Sequence, residues 1–187
     1  MKILSRRSGL VWLAGAASTL AFAALPRKLH AETLDWDDGD LTISDPPAPT
    51  KPLAFQAADG TPHSIAEFAG HGLVVNFWAT WCQPCIAEMP SLEKLSRALA
   101  PEDIAVLPLS SDRTGRTAVE AFFSKHDISA LPVLLDPHSE AANAWNLNGI
   151  PTTVIIDRQG RERARLEGAA DWGSDAAAEA IRRLVRE

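Results

Sequence analysis

Two cysteines stand in the chain, Cys82 and Cys85, with Gln83 and Pro84 between them. An apolar, β-branched run, Leu73-Val74-Val75-Asn76-Phe77, precedes them, and a helical pattern from Ile86 to Leu99 follows. A strand that turns into a helix at this pair places Cys82 at the helix N-terminus. Unpaired backbone N–H groups and the positive end of the helix dipole there stabilise a thiolate. Such surroundings draw a cysteine pKa from ~8.5 to around 7 or lower, and the thiolate is the nucleophilic form. Two intervening residues let both sulfurs meet within the first helical turn, so the pair can close and reopen as a disulfide.

Other chemistry is open to the same pair. Structural zinc takes four protein ligands, and the five histidines (His30, His63, His71, His126, His138) are scattered along the chain. Two thiolates could hold Cu(I), which would make the protein a copper chaperone. A purely structural disulfide closing so short a loop constrains the unfolded chain little.

Trp78-Ala79-Thr80-Trp81-Cys82-Gln83-Pro84-Cys85-Ile86-Ala87-Glu88-Met89-Pro90 and, downstream, Gly149-Ile150-Pro151-Thr152 before the β-branched run Thr153 to Asp157 carry a resemblance. Over roughly residues 52–185 the chain resembles the thioredoxin-like family, and within it the TlpA/ResA-like branch. The resemblance implies an α/β thioredoxin fold with an N-terminal β-hairpin extension and a central helix–strand insert. It implies a cis bond before Pro151, opposite the cysteines, and a backbone contact from Ile150 to a bound substrate strand. Cys82 would attack a substrate disulfide and Cys85 would resolve the mixed disulfide. Trp81, Gln83, Pro84, Ile150 and Pro151 would meet the substrate. No cofactor and no metal are implied.

Asn76 departs from the better-known thioredoxins, which carry a buried aspartate there as proton acceptor. Asn76 cannot ionise. Glu88 follows Cys85 by three residues, a spacing that brings two side chains to neighbouring helix faces, so its carboxylate could take and return the thiol proton. The plainer alternative is a solvent-facing glutamate favoured by the helix dipole.

The elements that must position these residues are readable around them. Ala58-Asp59-Gly60-Thr61 is a hairpin signal between Leu53–Phe55 and His63–Ile65, and Ser64 with Glu67 makes a capping box. Apolar positions Ile86, Met89, Leu92, Leu95 and Leu99 give one helix, interrupted by Pro90. Ile104–Leu109 reads as a strand, Thr117–His126 as a helix, Leu131–Leu135 as a short strand and Ser139–Trp145 as a helix. Thr152–Asp157 and Glu162–Leu166 form a hairpin, and Ser174–Val185 a last helix.

The N-terminus reads as an export segment over residues 1–31. Lys2, Arg6 and Arg7 precede an uncharged apolar run, Gly9–Leu25. At seventeen residues the run is short for a span of ~20, so a cleaved signal is expected, with a retained membrane anchor as the alternative. Ser5-Arg6-Arg7 is similar to a twin-arginine signal. Residues 32–52, rich in Asp and Pro, read as a solvated linker, and 53–187 as the folded domain.

Thirteen of the eighteen basic residues follow residue 31, against all twenty-four acidic ones, a formal charge of −11. That excludes nucleic acid as an expected partner, since no basic surplus exists to neutralise phosphates. An exported Cys-x-x-Cys protein in an oxidising compartment is either an oxidant or a reductant fed with electrons. Gln83-Pro84 carries no charge to over-stabilise a thiolate, and the branch it resembles is reducing. The expected partners are therefore a cysteine-containing periplasmic protein and a membrane reductase that donates electrons, in cytochrome c or oxidase copper-site assembly. An oxidant or isomerase on the same fold is the remaining alternative.

Overall fold

The computed structural model describes residues 33–36 and 39–186. Within these, the elements run β1 (Thr33–Trp36), β2 (Gly39–Pro49), β3 (Ala54–Ala57), β4 (Pro62–Ser64), β5 (Gly72–Trp78) and α1 (Gln83–Leu99). Then follow β6 (Ile104–Ser110), α2 (Arg116–Lys125), β7 (Leu134–Leu135), α3 (Glu140–Ala144), β8 (Thr152–Ile156), β9 (Arg161–Glu167) and α4 (Asp175–Arg186). The described strands make one mixed sheet in the order β1-β2-β9-β8-β5-β6-β7-β3-β4.

β5 lies near the centre, parallel to β6 and antiparallel to β8. Every residue of β5 is buried, which explains its near-continuous apolar run. Alternation along the strand divides the core in two. Val74 and Trp78 join α1, α2 and α4 through Met89, Leu92, Phe123 and Ile181. Leu73, Val75 and Phe77 face the other side with Leu109, Val154 and Trp145. The rings of Trp78 and Phe123 stack at 5.8 Å between centroids, which ties α2 to the sheet beside the cysteine loop.

The hairpin β3–β4 and the insert of α2, β7 and α3 appear where the sequence placed them. Ser64 and Glu67 complete the capping box of a 3₁₀ turn over Ile65–Phe68. α1 runs through Pro90 without ending. The expected strand over 131–135 is reduced to Leu134–Leu135, with Pro132, which has no N–H for a ladder, outside it.

Residues 39–49 depart from the solvated-linker expectation. They form β2, antiparallel to β9, with Thr42 opposite Arg165 and Pro49 opposite Arg161. Leu41 is fully buried, and Ile43 packs beside it. The physical reason is the edge of β9, whose backbone groups would otherwise lack partners. The prolines are accommodated by an irregular register between Ile43 and Ala48, which holds Pro46 and Pro47. The expected export segment, residues 1–31, lies outside the described residues. Among the described residues no helix is long and apolar enough to cross a membrane.

Candidate active site

The cysteine loop begins where β5 ends, and the end of β6 holds it in place. Asp112, buried just past β6, accepts the Thr80 backbone N–H at 2.9 Å and the Thr80 hydroxyl at 2.6 Å. Its Oδ2 also accepts the Ser110 hydroxyl at 2.7 Å. A turn closed by Cys82 N–H to Ala79 C=O, 3.1 Å, then delivers the chain into α1.

Cys82 is the N-cap of α1 in extended backbone geometry, and its sulfur accepts the Cys85 backbone N–H at 3.3 Å. Pro84 lies in the first helical turn, where its missing N–H costs nothing. The two cysteines are joined as a disulfide. Cys85 is fully buried, whereas Cys82 retains 6% exposure. An incoming thiolate or disulfide therefore meets Cys82 first. A free Cys82 thiolate would keep the backbone N–H and the helix terminus that now face its sulfur.

Opposite the pair runs the loop before β8. The Ile150–Pro151 peptide is cis, and the Ile150 carbonyl oxygen lies 3.8 Å from the Cys82 sulfur. Thr152 donates its hydroxyl to Gly149 C=O at 2.7 Å, and Gly168 N–H donates to Pro151 C=O at 2.9 Å, so the loop is fixed at both ends. Gln83 and Pro84 are exposed. Trp81 is 66% exposed, the large apolar side chain that the described surface leaves open. It flanks a cavity of about 570 Å³ shared with Arg113, Pro137 and His138.

Glu88 is not the solvent-facing glutamate of the plainer reading. It is 3% exposed, one turn along α1 from Cys85. Its Oε1 accepts Asn76 Nδ2–H at 2.9 Å, and its Oε2 accepts the Ala170 backbone N–H at 3.2 Å and Trp172 Nε1–H at 3.0 Å. Burial raises its pKa above the ordinary carboxylate value, and the three donors offset part of that rise. A small cleft lined by Ala87, Ser91, Ala169 and Asp171 reaches it from outside.

The structure thus brings Cys82, Cys85, Ile150 and Pro151 to one point, sets Trp81, Gln83 and Pro84 on its rim, and puts Glu88 beneath it with Asn76. Sequence reasoning missed Asp112, Thr153 and Trp172 as parts of the site. Asp112 looked like any loop acid. Trp172 carried one signal, a bulky aromatic in a small-residue stretch before the last helix. Among the described residues no group of three or more His, Cys, Asp and Glu side chains converges as a metal site.

The chain is similar to known proteins over this same core. It is 29% identical over 109 residues to the thiol-disulfide oxidoreductase ResA of Geobacillus kaustophilus, covering 58% of this chain and 62% of that protein. It is 34% identical over 110 residues to the thioredoxin-like protein YneN of Bacillus subtilis, covering 58% and 63%. The chain therefore spans about three fifths of the length of these relatives. Among solved structures, a thiol:disulfide interchange protein of the thioredoxin family from Chlorobium tepidum superposes with a TM-score of 0.60 at 26% identity, covering 72% of this chain and 97% of that one. StoA from Bacillus subtilis gives 0.57 at 21%, covering 74% and 98%, a likeness of fold alone. The Redoxin family model matches residues 44–181, a stretch that takes in the cysteine pair, the proline loop and Glu88; the chain belongs to the Redoxin family and has a thioredoxin-like fold.

Proposed function

We propose that the protein is a thiol–disulfide oxidoreductase that reduces disulfides of particular proteins in the periplasm. The observation that carries this reading is the joined pair Cys82–Cys85 at the N-terminus of α1, against the carbonyl of Ile150 and the cis proline that follows. In the reduced protein, Cys82 thiolate attacks one sulfur of a substrate disulfide. A mixed disulfide forms and one substrate thiolate leaves. Cys85, deprotonated by Glu88, then attacks the Cys82 sulfur, closes the internal disulfide and releases the second substrate thiolate. Two electrons pass to the substrate, and a membrane reductase restores the dithiol. The uncharged Gln83-Pro84 pair supports the reducing direction. Cytochrome c or oxidase copper-site assembly is the setting that the TlpA/ResA resemblance supports.

Trapping tests the exchange mechanism. Cys85→Ala with Cys82 intact, expressed with its full N-terminus, should accumulate mixed disulfides with one or a few exported proteins. Absence of any captured protein counts against the mechanism. The direction is read from the reduction potential. A value toward that of thioredoxin, about −270 mV, supports a reductant, and one near about −120 mV, typical of strong oxidants, reverses the assignment. The copper-chaperone reading asks for a third soft ligand beside the pair, and the group standing there is the Ile150–Pro151 backbone.

A further inference from the structure

The two oxygens of Glu88 differ in what faces them. The partners of Oε2, the Ala170 backbone N–H and the Trp172 indole N–H, are donors that cannot accept a hydrogen bond. A proton arriving on Glu88 therefore has no acceptor at Oε2. Oε1 faces Asn76 instead, a primary amide that donates from Nδ2 to Glu88 and also from Nδ2 to Thr153 Oγ1, each at 2.9 Å. The other end of that amide, Oδ1, is buried without a hydrogen-bond partner. An amide turned half a revolution about its terminal torsion exchanges donors for an acceptor while keeping its shape. Turned so, Oδ1 faces both Glu88 Oε1 and Thr153 Oγ1. A carboxylic acid O–H and a hydroxyl can both donate to it, so each bond reappears with its direction reversed.

We infer that Asn76 is a two-state positioning residue whose amide turns with the proton on Glu88, donating to the carboxylate and accepting from the acid. Trp172 and Ala170 act as fixed donors that direct the proton to Oε1. The inference rests on the reading that Glu88 serves Cys85. In that step Cys85–SH and Glu88–COO⁻ become Cys85–S⁻ and Glu88–COOH, and the proton lies on Oε1 against Asn76 Oδ1. A carboxylate in place of Asn76 would set a second negative charge in the same dry space, whereas the amide serves both forms of Glu88 with none. Around Glu88, β5 contributes Asn76, α1 contributes Ala87 and Ser91, and the loop before α4 contributes Ala169, Ala170 and Asp171 at the cleft. Lys94 of α1 lies by the same loop at Gly173. Burial and the three donors, rather than a neighbouring charge, set the proton affinity of Glu88.

The test is NMR titration of the intact oxidised protein, following the Glu88 carboxyl carbon and the Asn76 side-chain amide. Both Nδ2 protons of Asn76 are hydrogen-bonded when Glu88 is charged and released when it is neutral. They should therefore move upfield together at the Glu88 midpoint. Trp172→Phe, which removes a donor serving only the carboxylate, should raise the proton affinity of Glu88 about tenfold. Asn76→Ala removes support from both forms and should change it by less than about threefold. Movement of one amide proton alone, or an Asn76→Ala shift equal to that of Trp172→Phe, identifies a fixed donor and overturns the inference. Should a variant fail to fold, the wild-type amide signals decide. Glu88→Gln judges the underlying reading separately. Unchanged turnover in that variant removes Glu88 from the mechanism, and the amide response is still read in the wild-type protein.

Discussion

Asp112 and Thr80, thirty-two residues apart, are joined twice, through the Thr80 backbone N–H and through its hydroxyl. The loop that carries Cys82 thus owes its position to a carboxylate on a different strand end. Asp112→Ala leaves the half-buried donors of Thr80 and the buried hydroxyl of Ser110 without this partner, at up to about 1–3 kcal/mol each before relaxation. Urea unfolding should show a loss of about 2–4 kcal/mol. Reduction of a protein disulfide should slow as well, because the Ala79–Cys82 turn loses its anchor. An unaltered midpoint would mean that the turn is self-supporting.

Glu88 should leave a signature in stability against pH. Its pKa in the folded protein is raised by burial above the ordinary carboxylate value. The folded state therefore holds this proton at pH values where the unfolded chain has released it. The contribution to stability is fully present below the unfolded value and is lost as pH rises through the folded one. In Glu88→Gln the decline across that window should flatten, and the oxidised variant should match or exceed wild-type stability at neutral pH. Denaturation at a series of pH values measures it; parallel curves for the two proteins would refute the assignment.

Trp81 tests the proposed substrate surface. As an exposed side chain it should be replaceable by Ala with a change in stability within about 0.5 kcal/mol. Reaction with dithiothreitol should be nearly unaffected, since that reagent needs only the Cys82 sulfur. Exchange with a protein disulfide should fall several-fold, mainly through KM. Equal losses with both reagents would place Trp81 in the support of the cysteines instead.

Gly72 opens β5 where α4 crosses. A Cβ at this position overlaps the Val185 side chain and crowds Ile104 Cγ1 at 3.2 Å. Gly72→Ala should destabilise by about 1–3 kcal/mol through overpacking. Val185→Ala in the same molecule should recover part of the loss, so the pair should be non-additive in thermal unfolding.

The reach of the sequence differs from element to element. The path from β5 through the cysteines into α1 was legible because an apolar run, a special dipeptide between two cysteines and a helical period all agreed. The burial of Glu88 was not decided there. An acid early in a helix satisfies the dipole equally well in solvent, and what encloses this one is Trp172, eighty-four positions away. Asp112 was hidden for the same reason, since nothing local separates an anchoring carboxylate from a loop acid. β2 was hidden by composition: acidic residues and prolines argue for a solvated coil, while the feature that recruits the segment is the unpaired edge of β9.

Those prolines also govern what the rim of the sheet can offer to other molecules. From residue 44 to residue 49 only Ser44, Asp45 and Ala48 possess a backbone amide hydrogen. A foreign strand approaching along this stretch finds too few donors, in an uneven register, to zip onto it. The segment thus adds a strand beside β9 and, past the stretch that β1 covers, closes its outer side to further pairing.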